Sequence, residues 1–225
     1  MPKKARMSEM IAARYNPVAM KAVALLSGGL DSSVAFVIRA PDMALALTVD
    51  YGQRAARREI ASARSIAARY RVPHRVLKLP WLGGGALTDR SKRLPSPDLR
   101  RSSDTRKSAA AVWVPNRNGV FIAAAAAVAE SLGASCVVVG FNREEAATFA
   151  DNSKPFLDAA NMALRFSTRI GVRVESPTLT WDKQRIVVEG RRLGAPLHLV
   201  WPCYEGGKSW CRKCESCLRA MRAGL

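Results

Sequence analysis

Acidic residues are scarce: 18 Asp and Glu stand against 36 Lys and Arg, a formal net charge of +18 over 225 residues. Such a balance invites a nucleic-acid partner. Arginine and alanine are in excess along the whole chain, however, so the charge is spread out and nucleic acid is a permitted partner, not a required one. Long apolar runs are also missing. No segment approaches the ~18 unbroken apolar residues of a membrane helix, and no apolar h-region follows the basic start Met1-Pro-Lys-Lys-Ala-Arg6. No membrane partner is expected, and the cytoplasm is the expected location. No internal repeat is visible. Histidine occurs twice; His74 sits in an alternating segment and reads as structural, and His198 has no partner visible in the sequence. The length suits one α/β core with a small appendage.

The chain is organised around Ala22-Val-Ala-Leu-Leu26-Ser27-Gly28-Gly29-Leu30-Asp31-Ser32-Ser33. Five apolar residues predict a short buried strand, Ser-Gly-Gly breaks it, and an apolar helix resumes until Pro41. A strand-to-helix turn of this kind aims free backbone N–H groups and the positive end of a helix dipole at one spot, which suits phosphate. Gly28 and Gly29 let backbone approach an anion, and Ser27, Ser32 and Ser33 add hydroxyl donors. Asp31 is repulsive there unless a metal bridges it to the phosphates, so it reads as a Mg²⁺ ligand. No Gly-Lys-Ser/Thr closes the turn, which excludes a P-loop, and the adjacent glycines do not match the dinucleotide fingerprint. Ser-Gly-Gly-x-Asp-Ser after an apolar strand resembles the PP-loop of the ATP pyrophosphatases, which implies ATP as co-substrate, with Leu26 to Ser33 as the nucleotide-binding stretch.

Apolar runs at 43–50, 74–79, 135–140 and 172–176 predict further strands. Helical spacing predicts helices at 59–70, 119–132, 154–166 and 183–193. The alternation calls for a doubly wound, mostly parallel sheet of Rossmann-like type over residues 22–200. Residues 1–21 form a basic extension with one helical turn around 10–15. Residues 80–111, rich in Gly, Pro, Ser and Arg, read as a long flexible insertion. Polar clusters end the strands: Asp50 with Gln53, and Asn142 with Glu144 and Glu145. Asn118 or Gly119 fits a helix cap, and Asp151 or Ser153 fits another. Cys136 packs as a small hydrophobe.

The other four cysteines, Cys203, Cys211, Cys214 and Cys217, crowd a tail at 201–225. Cys-x₂-Cys turns suit Zn²⁺, and four thiolates close its shell, so the site reads as structural. An iron–sulfur cluster is the rival.

The PP-loop is followed by Val-Asp-Tyr-Gly-Gln, by Val-Pro-x-Arg-Asn before an alanine-rich helix, and by Gly-x-Asn. An Asp-containing loop, Trp-Asp-Lys and Cys-Tyr-x-Gly-Gly with three more cysteines complete the pattern. This order resembles the 7-cyano-7-deazaguanine (preQ0) synthase family, and Gly140 to Phe149 is similar to its archaeal members. The resemblance implies an adenine nucleotide α-hydrolase-like fold and a homodimer. It also implies a carbon–nitrogen ligase that converts 7-carboxy-7-deazaguanine, ATP and ammonia to the nitrile through adenylated carboxylate and amide. Ser27, Asp31, Ser32 and Lys183 would serve catalysis, with Asp50 beside the nucleotide; the alternative for Lys183 is a solvated lysine. Arg117, Asn118, Asn142, Asp151 and Gln53 would hold the deazaguanine, with Glu144 or Glu145 the alternative to Asp151 at its ring edge. Ala150 stands where the family usually has Pro, and Pro202 where it usually has Ser. Two other classes share the PP-loop: enzymes that modify tRNA directly, and relatives that modify protein amines.

Overall fold

The computed structural model describes residues 21–225; the turn expected at 10–15 lies outside them. Five strands, β1 (Ala22–Leu25), β2 (Met43–Asp50), β3 (His74–Lys78), β4 (Cys136–Val138) and β5 (Arg173–Glu175), form one sheet in the order β3-β2-β1-β4-β5. Every neighbouring pair is parallel. The helices are α1 (Leu30–Ile38), α2 (Ala56–Arg69), α3 (Gly85–Thr88), α4 (Ser102–Val112), α5 (Arg117–Ser131), α6 (Arg143–Ala146), α7 (Lys154–Ser167), α8 (Lys183–Arg192) and α9 (Glu215–Arg222).

Side chains alternate along a strand, and here both faces are apolar. Val23, Leu45, Leu47 and Val137 pack with Ile122, Ala125 and Ala129 of α5 and Leu157 and Leu164 of α7. Ala22, Ala24, Ala46 and Val138 pack with Phe36 of α1 and Ala63, Ile66 and Ala67 of α2. Each fully buried Val, Leu or Phe contributes roughly 1.5–3 kcal/mol, so burial on two sides is enough to hold a four-residue β1. The small alanines of α5 let that helix lie close on β1, where a larger side chain would overpack.

The chain runs outward through β2 and β3, then returns to lay β4 on the other side of β1. The crevice at the carboxyl ends of β1 and β4 is the switch point where open α/β sheets bind ligands. Gly140 lies there, and a Cβ on it would come within 2.4 Å of the Ser32 backbone nitrogen. The exit of β4 therefore presses directly on the start of α1.

Two expectations are corrected, and one open alternative is decided. The 80–111 insertion is not wholly irregular: it holds α3 and the eleven-residue α4. Ala109 and Val112, one helical step apart, are buried with Val49 and Tyr51, while Ser, Arg and Lys on the other faces hide that stripe in the sequence. Helix α5 begins at Arg117, with Asn116 left-handed (φ 51°) at its N-cap, because Gly119 leaves room for the Asn116 side chain 2.2 Å from its missing Cβ. Asn118 thus lies inside the first turn and is not a cap. Ser153, not Asp151, caps α7 by accepting the Phe156 N–H at 3.3 Å.

The tail is bonded to the body. The Trp201 N–H donates to the Gly28 carbonyl at 2.7 Å, and Ser108 of α4 hydrogen-bonds Glu215 of α9. No helix among the described residues is long and apolar enough to cross a membrane.

Candidate functional site

One cavity opens at the switch point, floored by the loop between β1 and α1. Gly28 (φ +78°) makes the turn, and a Cβ there would meet the Glu59 carbonyl at 2.7 Å, so only glycine fits. Ser27 Oγ lies 2.9 Å from Ser32 Oγ and accepts the Gly29 N–H at 3.3 Å. Ser33 points inward, its hydroxyl donating to the Gly29 carbonyl at 2.6 Å. No side chain caps α1, so its first-turn N–H groups remain available to an anion.

Beside them sits a charge cluster. Lys183, at the start of α8, donates to Asp31 Oδ2 at 2.6 Å and lies 2.7 Å from Glu145 Oε1. Asp182 caps α8 by accepting the Arg185 N–H and so fixes where Lys183 emerges. Lys183 is only 4% exposed, which excludes the solvated alternative. Burial pulls its ammonium down, but Asp31 and Glu145 outweigh this and hold it above the ordinary lysine value. Burial pushes the Asp31 carboxyl up to about 6, against the pull of Lys183. Lys183 with two ionised carboxylates leaves one net negative charge, and Asp31 Oδ1 is buried with no hydrogen-bond partner among the described residues. A polyphosphate is repelled by that set unless a cation joins it. The orphaned oxygen could serve a hard divalent cation as a ligand.

Arg117, Asn118 and Asp151 also line the cavity. Arg117 donates to Tyr51 Oη at 3.4 Å, and Asn118 Nδ2 donates to the Asp151 carbonyl at 3.2 Å. Burial raises the Asp151 carboxyl, against the pull of Arg117. Tyr51, Phe121, Phe149 and Tyr204 add flat apolar surface.

Leu26, Ser27, Gly29, Leu30, Asp31, Ser32, Lys183, Arg117, Asn118, Asp151 and Gln53 all line the cavity. Gln53 is committed to structure, with Oε1 accepting the Tyr51 N–H and Nε2 donating to the Val49 carbonyl. Asn142 and Asp50 are not brought to the cavity wall. Asn142 is fully buried and caps α6 through Oδ1, and Asp50 accepts the Gly52 N–H. Glu144 turns away from the cavity to Arg219 and Arg222. His74 holds Thr48 at 2.8 Å between strands, a structural place. Sequence reasoning assigned nothing to Glu59 or Trp201, which also line the cavity. The polar loop after β2 was the available signal for Glu59, since α2 starts from it.

In the tail, the four sulfurs of Cys203, Cys211, Cys214 and Cys217 lie within 4.8 Å of one another and could hold a metal ion. Tetrahedral Zn–S bonds of ~2.3 Å put sulfurs about 3.8 Å apart. Backbone N–H groups of Glu205 and Cys211 point at Cys203 Sγ, and that of Cys214 at Cys211 Sγ, each at 3.3 Å. Such donors favour thiolates, so the donor set fits a thiophilic metal. Cys136 is apart, buried in β4, and burial pushes its thiol up to about 12.

Comparison with known proteins places this geometry. The family model described as "Queuosine biosynthesis protein QueC" matches residues 21–224. A 7-cyano-7-deazaguanine synthase from Desulforudis audaxviator is 51% identical over 212 residues, 91% of this chain and 96% of that one. Its counterpart from Pelotomaculum thermopropionicum is 49% identical over the same shares. The Methanosarcina mazei synthase is 44% identical, over 91% of this chain and 93% of its own.

Proposed function

The chain belongs to the QueC family of queuosine biosynthesis proteins, and from that premise we propose that it converts 7-carboxy-7-deazaguanine and ammonia to 7-cyano-7-deazaguanine at the expense of ATP. It is a carbon–nitrogen ligase. A carboxylate is a poor acceptor for ammonia until one oxygen becomes a leaving group. Attack of the substrate carboxylate on the α-phosphorus of ATP supplies one, releasing pyrophosphate. Ammonia displaces AMP to give the amide. A second adenylation, on the amide oxygen, followed by loss of AMP, gives the nitrile.

The Asp31–Lys183–Glu145 cluster against the open start of α1 carries this reading. Ser27, Ser32, the N–H groups of α1 and Lys183 bind the phosphates. Lys183 exchanges a carboxylate for a phosphate oxygen as charge builds on the leaving group. Asp31 would hold Mg²⁺, which when bound would offset phosphate charge. Asp151 takes the N–H edge of the deazaguanine, Asn118 its carbonyl, and Arg117 its carboxylate. The aromatic wall excludes water that would hydrolyse the adenylate. Zn²⁺ is the metal proposed for the four cysteines, and it would brace the tail, whose Trp201 N–H already bonds the Gly28 carbonyl. A homodimer fits the exposed apolar face of α7, where Met162 and Phe166 are 53% and 86% exposed. A tRNA thiolase needs a reactive cysteine pair outside the metal cluster, and Cys136 is alone and inert.

The test is ATP–pyrophosphate exchange with purified protein. Exchange that requires 7-carboxy-7-deazaguanine supports the assignment; exchange that requires tRNA instead contradicts it.

A further inference from the structure

Ammonium is the predominant form of ammonia at neutral pH, and it has no lone pair with which to attack an acyl-adenylate. The cavity must therefore lower the cost of producing the free base next to the PP-loop. Four carboxylates line it: Asp31, Glu59, Glu145 and Asp151. Asp31 and Glu145 are tied to Lys183, and Asp151 lies beside Asn118, which donates to its backbone carbonyl. Glu59 has no part in the reaction as described so far.

Its setting is built. Glu59 Oε2 accepts the Gln53 Nε2–H at 2.7 Å. The Gln53 amide cannot turn over, because Oε1 takes the Tyr51 N–H at 2.9 Å and Nε2 also gives to the Val49 carbonyl at 3.1 Å. One Glu59 oxygen is thus clamped and the other is left for the cavity. The residue lies against the PP-loop: its own carbonyl occupies the space Gly28 leaves open, and Ser62, one turn further along α2, lies 2.9 Å from the Gly28 carbonyl.

We propose that Glu59 is the proton acceptor of the amination step, taking a proton from ammonium beside the adenylated carboxyl group. This rests on the ligase reaction proposed above. Ammonium gives one proton to the Glu59 carboxylate. The freed lone pair forms the C–N bond while the C–O bond to phosphate breaks, AMP leaving with the electron pair. The surplus proton on nitrogen passes to water, and Glu59 returns its own proton to solvent. The electrostatic setting agrees. Burial pushes the Glu59 carboxyl up to about 7, opposed by the Gln53 hydrogen bond and by Arg117, and assisted by Asp50. A base is most effective when its pKa lies near the working pH.

The test compares wild type with Glu59→Gln and Glu59→Asp in three assays: substrate-dependent ATP–pyrophosphate exchange, product formation with ammonium from about pH 6 to 9, and hydroxamate formation with hydroxylamine, which is already neutral at pH 7. Glu59→Gln is expected to keep exchange at the wild-type level and to lose about 10²-fold or more of ammonium-dependent product at pH 7, the usual range for a general base. The loss should shrink as pH rises and free ammonia accumulates, and hydroxylamine should be used at the wild-type rate. Glu59→Asp should recover part of the ammonium activity. The hydroxylamine-to-ammonium ratio, taken in one preparation, does not depend on how much of the variant is folded. Parallel loss of exchange, or equally poor use of both amines, would show that Glu59 binds the ring or supports the fold, and would overturn the proposal. Absence of exchange in wild type would instead overturn the reaction assignment itself.

Discussion

Lys183 and Asp31 lie 152 positions apart in sequence and 2.6 Å apart in space, joined by a buried ion pair. The sheet order makes this contact: α1 follows β1 at the centre, and α8 returns to pack on α1. Gly190 of α8 leaves space for Val34, whose Cγ2 would lie 2.9 Å from an added Cβ.

Lys183→Met removes the cation and leaves Asp31 and Glu145 facing each other uncompensated. Breaking a buried pair this way costs about 3–5 kcal/mol, and the loss of a phosphate-binding donor costs at least ~10²-fold in kcat. Adding Asp31→Asn should restore much of the stability and none of the activity. Denaturant unfolding and exchange assays on the single and double variants check this.

Gly140→Ala puts a methyl group 2.4 Å from the Ser32 nitrogen. The three nearest atoms, Ser32 N, Ser32 Cα and Asp31 C, are all backbone, so the start of α1 must shift. Overpacking of this kind costs about 1–3 kcal/mol. Activity should fall more steeply than stability, because the displaced N–H groups are the phosphate site. Melting temperature and kcat, measured together, separate the two effects.

Removal of the tail metal should reach the active site through Arg219. That buried guanidinium holds Glu215 at 2.6 Å and Glu144 at 2.8 Å, one residue from Glu145. Metal analysis should find one zinc per chain. Chelation should lower Tm by at least about 10 °C and reduce activity, and Arg219→Ala should reduce activity with zinc still bound.

Glu59 also predicts a stability trend with pH. Its folded pKa, about 7, is raised above the ordinary carboxylate value. Between those values the folded state holds more protons than the unfolded one, so stability falls as pH rises through the window. Glu59→Gln should remove that part of the slope. Melting curves of the two proteins from about pH 4 to 8 should therefore diverge towards the alkaline end.

Much of this arrangement was legible in the sequence because it is local. The apolar runs gave five strands, the central ones because both of their faces are buried, and Ser27 to Ser33 marked the phosphate turn through its own glycines and hydroxyls. Lys183 was legible as a helix-start lysine, though its two carboxylate partners were not. What escaped depends on contacts between distant segments. Helix α4 is apolar on one narrow stripe, buried among Val49, Tyr51, Leu82 and Leu87 from other segments. Asn142 resembled a ligand by its position after a strand, but the backbone of α6 claims its carbonyl. Glu59 acquires its role from Gln53 and Arg117, and nothing in its own helix announces that.

The central claim is that the PP-loop cavity activates a deazaguanine carboxyl group with ATP. Mass spectrometry of products from Mg-ATP, ammonium and 7-carboxy-7-deazaguanine, with wild type and Asp31→Ala side by side, tests it most directly. The account predicts the nitrile with AMP and pyrophosphate from wild type, and none of the three from the variant. ATP cleavage without the nitrile, or the same products from the variant, would contradict it.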